Sequence, residues 1–278
     1  MGKTLFVSDL DGTLLNSEAA LSDFTVETIN RLSAKGMRFT YATARTMFSA
    51  FPKTESLNIS VPCILNNGSS IYDRQEKKFV RRAFIPRETA ARLIGAFREN
   101  DVGCMMLKFF GDTLMHCVDG CINTPGLLAS IAERRVAAPE RFVECSDISR
   151  ENDGFAVYIT SNGDYEKMLP VYRAVKEIPG ADCAFYKDSY TDYWYLETFS
   201  EEASKANGVK FLRERYGFDR VVAFGDNFND MSMFSQADIK VAVGNAVEEL
   251  RRAADFITDT NDSDGVAKFL NEQADKFI

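Results

Sequence analysis

Histidine is almost missing from this chain: His116 is the only one in 278 residues. It sits in the strand-like stretch TLMHCV, apart from every other polar motif. It therefore reads as a packing or surface residue, and acid–base chemistry falls to other groups. Tryptophan is as scarce. Trp194, beside Tyr195, reads as packing, with a substrate-facing aromatic as the alternative. No apolar run approaches the length that spans a bilayer and no cleavable leader pattern is visible, so a cytoplasmic location is expected. Basic charge is in deficit: 33 Lys and Arg against 41 Asp and Glu leave a net charge of −8. That balance suits neither nucleic acid nor an anionic membrane as a partner. A local cation or metal overrides the mean at a single site, so an anionic small molecule stays open as a ligand. The 6 cysteines are scattered. Cys117 and Cys121 have a C-x-x-x-C spacing, but no second pair completes a zinc site, and the thiols read as reduced and structural. The basic pairs Arg81-Arg82 and Arg134-Arg135 read as solvated faces.

What is present is a strand and helix rhythm that changes twice. Residues 4–8 form an apolar strand. Ser22 caps a helix with Val26, Ile29 and Leu32 on one side, ending near Gly36. Strands follow at 37–43 and 63–66. Strand–helix–strand order at this spacing predicts a parallel sheet with crossover helices. From about residue 68 the pattern shifts to a hairpin, a helix opened by Pro86, and the adjacent strands MMLKFF and TLMHCV joined by Gly111-Asp112. Further strands and two more helices follow without evident crossovers, which predicts an α+β module. After Ser204 the α/β rhythm returns. The expected organisation is one α/β core built from residues 1–82 and 190–278, with an α+β cap inserted at 83–189.

In open parallel sheets, ligands bind at the carboxyl ends of the strands. The first strand delivers Asp9, Asp11, Gly12 and Thr13 to that edge, the second Thr43, Ala44 and Arg45, and the third Asn66 and Asn67. The strand after the insert delivers Gly225, Asp226, Asn229 and Asp230, and Lys205 opens the helix before it. Hard oxygen donors of this kind suit Mg²⁺, which is commonly held by one or two carboxylates with waters and substrate phosphate. A carboxylate beside such a cation can attack phosphorus, dividing one slow displacement into two faster ones. The uncatalysed hydrolysis is slow enough that acceleration can approach ~10²¹-fold, which calls for metal, lysine and covalent chemistry together. Asp11, two residues on, is placed to protonate the departing alkoxide and then to deprotonate water. Either acidic segment alone is compatible with a solvated turn. Both together, each after an apolar strand and with ATAR and SKANG between them, are not.

DLDGT, ATAR, SKANG and GDNFND, in this order, resemble the four motifs of the haloacid dehalogenase-like hydrolases, and the position of the insert resembles the Cof-type phosphatases. The resemblance covers nearly the whole chain and implies a Rossmann-like parallel-sheet core with an α+β cap that sets substrate specificity and closes over the substrate. It implies Asp9 as nucleophile and metal ligand, and Asp11 as acid/base with its carbonyl on Mg²⁺. Thr43, Ala44, Arg45, Asn67 and Asn229 then serve substrate phosphate, Lys205 bridges phosphate and nucleophile, and Asp226 and Asp230 serve the metal. Two positions depart from the family pattern: Ala44 stands where a glycine is usual, and Ala206 follows Lys205 where the family again has glycine. Neither removes a catalytic group. The implied activity is Mg²⁺-dependent hydrolysis of small phosphorylated metabolites, sugar phosphates foremost, with a phosphomutase and a non-catalytic phosphate- or metal-binding regulator as the rivals. Oligomeric state is left open.

Overall fold

The computed structural model describes residues 3–188 and 191–277. In chain order the elements are β1 (Thr4–Ser8), α1 (Asp23–Ala34), β2 (Arg38–Tyr41), α2 (Met47–Thr54), β3 (Cys63–Leu65), β4 (Ser70–Asp73) and β5 (Lys78–Arg82). There follow α3 (Arg87–Glu99), β6 (Met105–Phe110), β7 (Thr113–Asp119), α4 (Pro125–Ala137), β8 (Phe142–Cys145), β9 (Ala156–Gly163), α5 (Tyr165–Lys176), β10 (Ala181–Lys187) and β11 (Trp194–Ser200). The chain continues through α6 (Lys205–Tyr216), β12 (Arg220–Gly225), α7 (Asp230–Phe234), β13 (Ile239–Ala242), α8 (Glu248–Ala253), β14 (Phe256–Ile257) and α9 (Gly265–Gln273). Two compact units result. Residues up to Arg81 join those from Ser204 onward, and Arg82–Ala203 forms the other.

In the first unit, the buried strand β1 lies between β2 and β12, in the order β14-β13-β12-β1-β2. Every pairing in that sheet is parallel. β1 and β12 each carry a continuous buried apolar run, Leu5 to Val7 and Val221 to Phe224, as strands covered on two faces do. The Ser22 hydroxyl accepts from the Thr25 amide at 3.0 Å and starts α1, which buries Ile29 and Leu32. The chain leaves β1 toward β2 on one side and β12 toward β13 on the other. The strand order therefore reverses between β1 and β12, and their carboxyl ends open the crevice where ligands bind in such sheets.

The second unit is a six-stranded sheet in the order β10-β11-β9-β6-β7-β8. One face packs on α3 and α5 through Leu93, Phe97, Met168 and Val171, against Met106, Ile159 and Leu196. The other meets α4, where Leu127 and Ile131 pack on Met105 and Val118. Adjacent Met105 and Met106 thus serve opposite faces, as the two-residue strand period requires.

Two expectations need correction, and one helix stands outside them. The cap boundary expected at 189–190 falls on residues outside those described, and the second unit runs on to Ala203. The reason is β11, which is hydrogen-bonded between β10 and β9 and so belongs to the second unit's sheet. The module also contains one crossover: β7 and β8 pair in parallel, joined through α4. Helix α2 has no counterpart in the sequence reading, because Pro52 inside it interrupts the helical signal.

His116 lies in β7, 2% exposed, with its ring stacked on Phe142 at 4.8 Å. Burial, with the Arg134 charge behind it, pushes its imidazole down to about 3. A histidine held neutral stabilises the fold above its unfolded value near 6.5, and that stability is lost as the pH falls from there toward about 3. The loss is on the order of 4 kcal/mol. Urea titrations from pH 7 to 4 are expected to show stability falling more steeply in the wild type than in His116→Gln. Equal slopes would remove His116 as the cause.

Candidate active site

The acidic edge is built by strand ends whose side chains converge. Asp9 follows β1 directly, and its amide donates to the Phe224 carbonyl of β12 at 3.0 Å, so the pairing of the two strands sets its position. Leu10 points into the apolar core and is fully buried, leaving the carboxylates on either side of it to face the crevice. Lys205 is the first residue of α6, whose cap Ser204 accepts from the Asn207 amide at 3.0 Å. Its ammonium lies 2.7 Å from Asp9 Oδ1 and 2.7 Å from Asp230 Oδ1. All three groups are buried, Lys205 to 2% exposure. The second oxygen of Asp230 accepts from the amides of Asp226 and Asn227 at 3.0 and 3.2 Å, which folds the turn after β12 around it.

Asp226 is held by Thr13, whose hydroxyl donates to Oδ1 at 2.8 Å. Gly12 makes that approach possible. Its φ is +74°, and a Cβ there would stand 2.5 Å from Asp226 Oδ2. The glycine of DLDGT is thus required twice, for its left-handed backbone and for room beside the second aspartate. Asn245 fixes the same turn by donating to the Gly12 carbonyl at 2.7 Å. Neither Thr13 nor Asn245 was assigned a role from sequence. Thr13 was visible inside the motif, whereas nothing local marks Asn245, which reaches the turn from the far end of the chain.

Ligand oxygens of Asp9, Asp226 and Asp230 lie within 4.8 Å of one another. Burial, only partly offset by Lys205 and reinforced by Asp230 and Asp226, holds the Asp9 carboxyl well above its usual range. Burial and then Asp230 push Asp226 up to about 6. Burial by itself would lower Lys205, but the charges of Asp230 and Asp9 prevail and hold its ammonium above its ordinary value. Three carboxylates therefore face one ammonium. Oxygen-only donors at short range, with Asp9 and Asp226 pushed toward their neutral forms, fit a small divalent cation such as Mg²⁺.

Asp11 stands outside that cluster. Arg45 grips both of its oxygens, Nε to Oδ2 at 2.7 Å and Nη2 to Oδ1 at 2.6 Å. Sequence reasoning placed Arg45 on substrate phosphate; the structure places it on Asp11. Thr43 is fully buried, and its hydroxyl accepts from the Arg45 amide at 3.1 Å. Ala44 is half-buried beside it. Asn67 donates its amide to the Thr43 carbonyl at 3.0 Å and has a left-handed backbone, φ +52°. Asn229 is exposed at the start of α7.

The charge imbalance leads to a stability prediction. In EDTA at pH 7.5, Asp226→Asn is expected to melt above the wild type. A carboxyl whose folded value is raised to about 6 destabilises the fold above that pH. The gap closes as the pH falls through about 6 toward 4. Mg²⁺ at a hundred times its dissociation constant is expected to raise the wild-type melting temperature by about 5–10 °C and the variant's far less. Equal shifts for both proteins would place the cation elsewhere.

A family model described as haloacid dehalogenase-like hydrolase matches residues 6–270. The chain is 26% identical over 271 residues to the 5-amino-6-(5-phospho-D-ribitylamino)uracil phosphatase YitU of Bacillus subtilis, with 96% of each chain covered. It is 23% identical over 266 residues to the pyridoxal phosphate phosphatase YbhA of Escherichia coli, covering 94% of this chain and 95% of that one. A solved haloacid dehalogenase-like hydrolase from Bacteroides thetaiotaomicron superposes with a TM-score of 0.78 at 27% identity, covering 97% of this chain and 99% of the other.

Proposed function

Because the chain belongs to the haloacid dehalogenase-like hydrolases, we propose that it cleaves the phosphate monoesters of small metabolites, sugar phosphates foremost, through an aspartyl-phosphate on Asp9 with Mg²⁺ as cofactor. It is a phosphoric monoester hydrolase of that family. The names of the two relatives, a phosphoribitylamino compound and pyridoxal phosphate, support a small phosphorylated substrate. Neither nucleic acid nor membrane is a partner in this reading.

The observation that carries it is the buried Lys205 ammonium, 2.7 Å from both Asp9 and Asp230. Attack of a carboxylate on a phosphate brings two anions together, and a fixed cation beside the nucleophile offsets that repulsion. Asp9, Asp226 and Asp230 would hold Mg²⁺, which when bound supplies the charge that screens the carboxylates and polarises the phosphate oxygens. An Asp9 carboxylate oxygen bonds to phosphorus, the bond to the alcohol oxygen breaks, and Asp11 delivers a proton to that oxygen. Water then attacks the phosphorus with Asp11 taking its proton, which releases inorganic phosphate and restores Asp9. Thr43, the Ala44 amide, Asn67 and Asn229 serve the phosphate oxygens. Arg45 orients Asp11 and gives up one of its oxygens when the proton moves.

Incubation with Mg²⁺ and a panel of phosphate monoesters tests the proposal. Free phosphate from sugar phosphates is the expected product. An isomerised ester without free phosphate would make the protein a mutase, and no turnover of any ester would leave a regulator.

A further inference from the structure

The helical face of the second unit carries a groove between α3 and α5 with a volume of about 450 Å³. Ala91, Gly95, Ala96 and Ala174 line it, together with two charged residues, Arg92 and Glu99. Arg92, Gly95 and Glu99 are spaced three and four residues apart, so they share one stripe of α3. Gly95 stands inside this helix of 13 residues, where glycine is a weaker helix former than alanine. Its φ is not among the positive ones, and a Cβ built on it would meet nothing within 4 Å. Neither backbone conformation nor packing within the described residues calls for glycine there. Its missing side chain does leave room for a second helix, because side chains at the contact set the distance between packed helices.

Arg92 and Glu99 narrow the choice of occupant. Both are exposed, and neither is in an ion pair among the described residues. A helix lying on this stripe must bring an anion to Arg92 and, two turns along, a cation to Glu99. A second copy of α3 laid antiparallel does both. A two-fold axis between Gly95 and Ala96 sets Arg92 of each copy opposite Glu99 of the other, and it brings the two glycines to the closest approach. Glu88, on the same stripe, then falls beyond the end of the opposed helix. Self-complementary contact of this kind is what a two-fold dimer requires.

We infer that the chain self-associates into a two-fold dimer through α3, with α3 of each copy lying along the groove of the other. The charges at Arg92 and Glu99 fix the antiparallel register, and the small residues between them allow the helices to meet closely. None of the residues assigned to catalysis lies in this stripe, and the dimer does not rest on the phosphatase function.

Sedimentation velocity of the full chain, from about 2 to about 200 µM, tests this. The wild type is expected to pass from monomer to dimer across that range, as an interface of modest size does at micromolar affinity. Arg92→Glu and Glu99→Arg each set like charges together twice across the axis. Each is expected to raise the dimer dissociation constant by about tenfold or more. Mixed in equal amounts, the two variants are expected to pair with each other near the wild-type constant, because every charge then meets its opposite. Gly95→Gln, which places a long polar side chain at the closest approach, is expected to remain monomeric while circular dichroism shows it folded. A wild type that stays monomeric throughout overturns the inference and leaves the groove to a different partner. A dimer that both charge variants keep unchanged lies on another face and overturns it too. Loss of the dimer in both variants without recovery in the mixture would rule out the antiparallel pairing.

Discussion

Asp9→Asn is expected to reduce turnover by about 10⁴- to 10⁶-fold while the protein stays folded, because losing a covalent nucleophile removes a whole reaction path rather than one contact. The amide keeps the shape of the side chain but cannot bond to phosphorus as a carboxylate does. The fold should tolerate it well. The Asp9 carboxyl is already held toward its neutral form by burial among Asp230 and Asp226, so a permanently neutral group there relieves repulsion, although Lys205 loses one of its two carboxylate partners. Circular dichroism and a melting curve check folding, and release of phosphate checks turnover. A folded Asp9→Asn protein with activity near wild type would remove Asp9 as the nucleophile. An acid-stable radiolabel transferred from substrate to another residue would identify its replacement.

Chelation is the second large effect. EDTA is expected to abolish nearly all phosphate release, and Mg²⁺ added in excess to restore it. The three aspartates bring oxygens within 4.8 Å of one another, a spacing that a small octahedral cation can bridge. Ca²⁺, which prefers six to eight oxygens at longer distances, is expected to restore little of the activity. Full activity in EDTA would mean that Lys205 alone supplies the positive charge needed by the displacement.

The sheet core and its acids were legible in the sequence because each is marked locally. Leu5-Phe6-Val7 before Asp9, and Val221 to Phe224 before Asp226, are buried runs that end in carboxylates. Ser204 announces α6 as a cap residue, and the lysine that follows it is the one that reaches Asp9. What stayed hidden depends on partners distant in sequence. Arg45 meets Asp11 across 34 residues, and its type alone suits phosphate equally well. β11 reads as a strand from its own residues, but nothing in them says which sheet takes it. Asn245 reaches the Gly12 carbonyl across 233 positions, with no signature at either end.

The pairing of β1 with β12, Thr4 opposite Arg220 through Ser8 opposite Phe224, also fixes when the site comes into being. Asp9 is synthesised early, whereas Lys205, Asp226 and Asp230 leave the ribosome only after the whole of Arg82–Ala203. That intervening segment is continuous and has its own core, so it is free to fold during synthesis while Asp9 waits without its partners. The first strand is exposed for most of translation, and cation binding rewards only the completed chain. A truncation anywhere before α6 therefore yields no weakened enzyme, only a sheet lacking its central neighbour and an aspartate without the lysine it meets in the full chain.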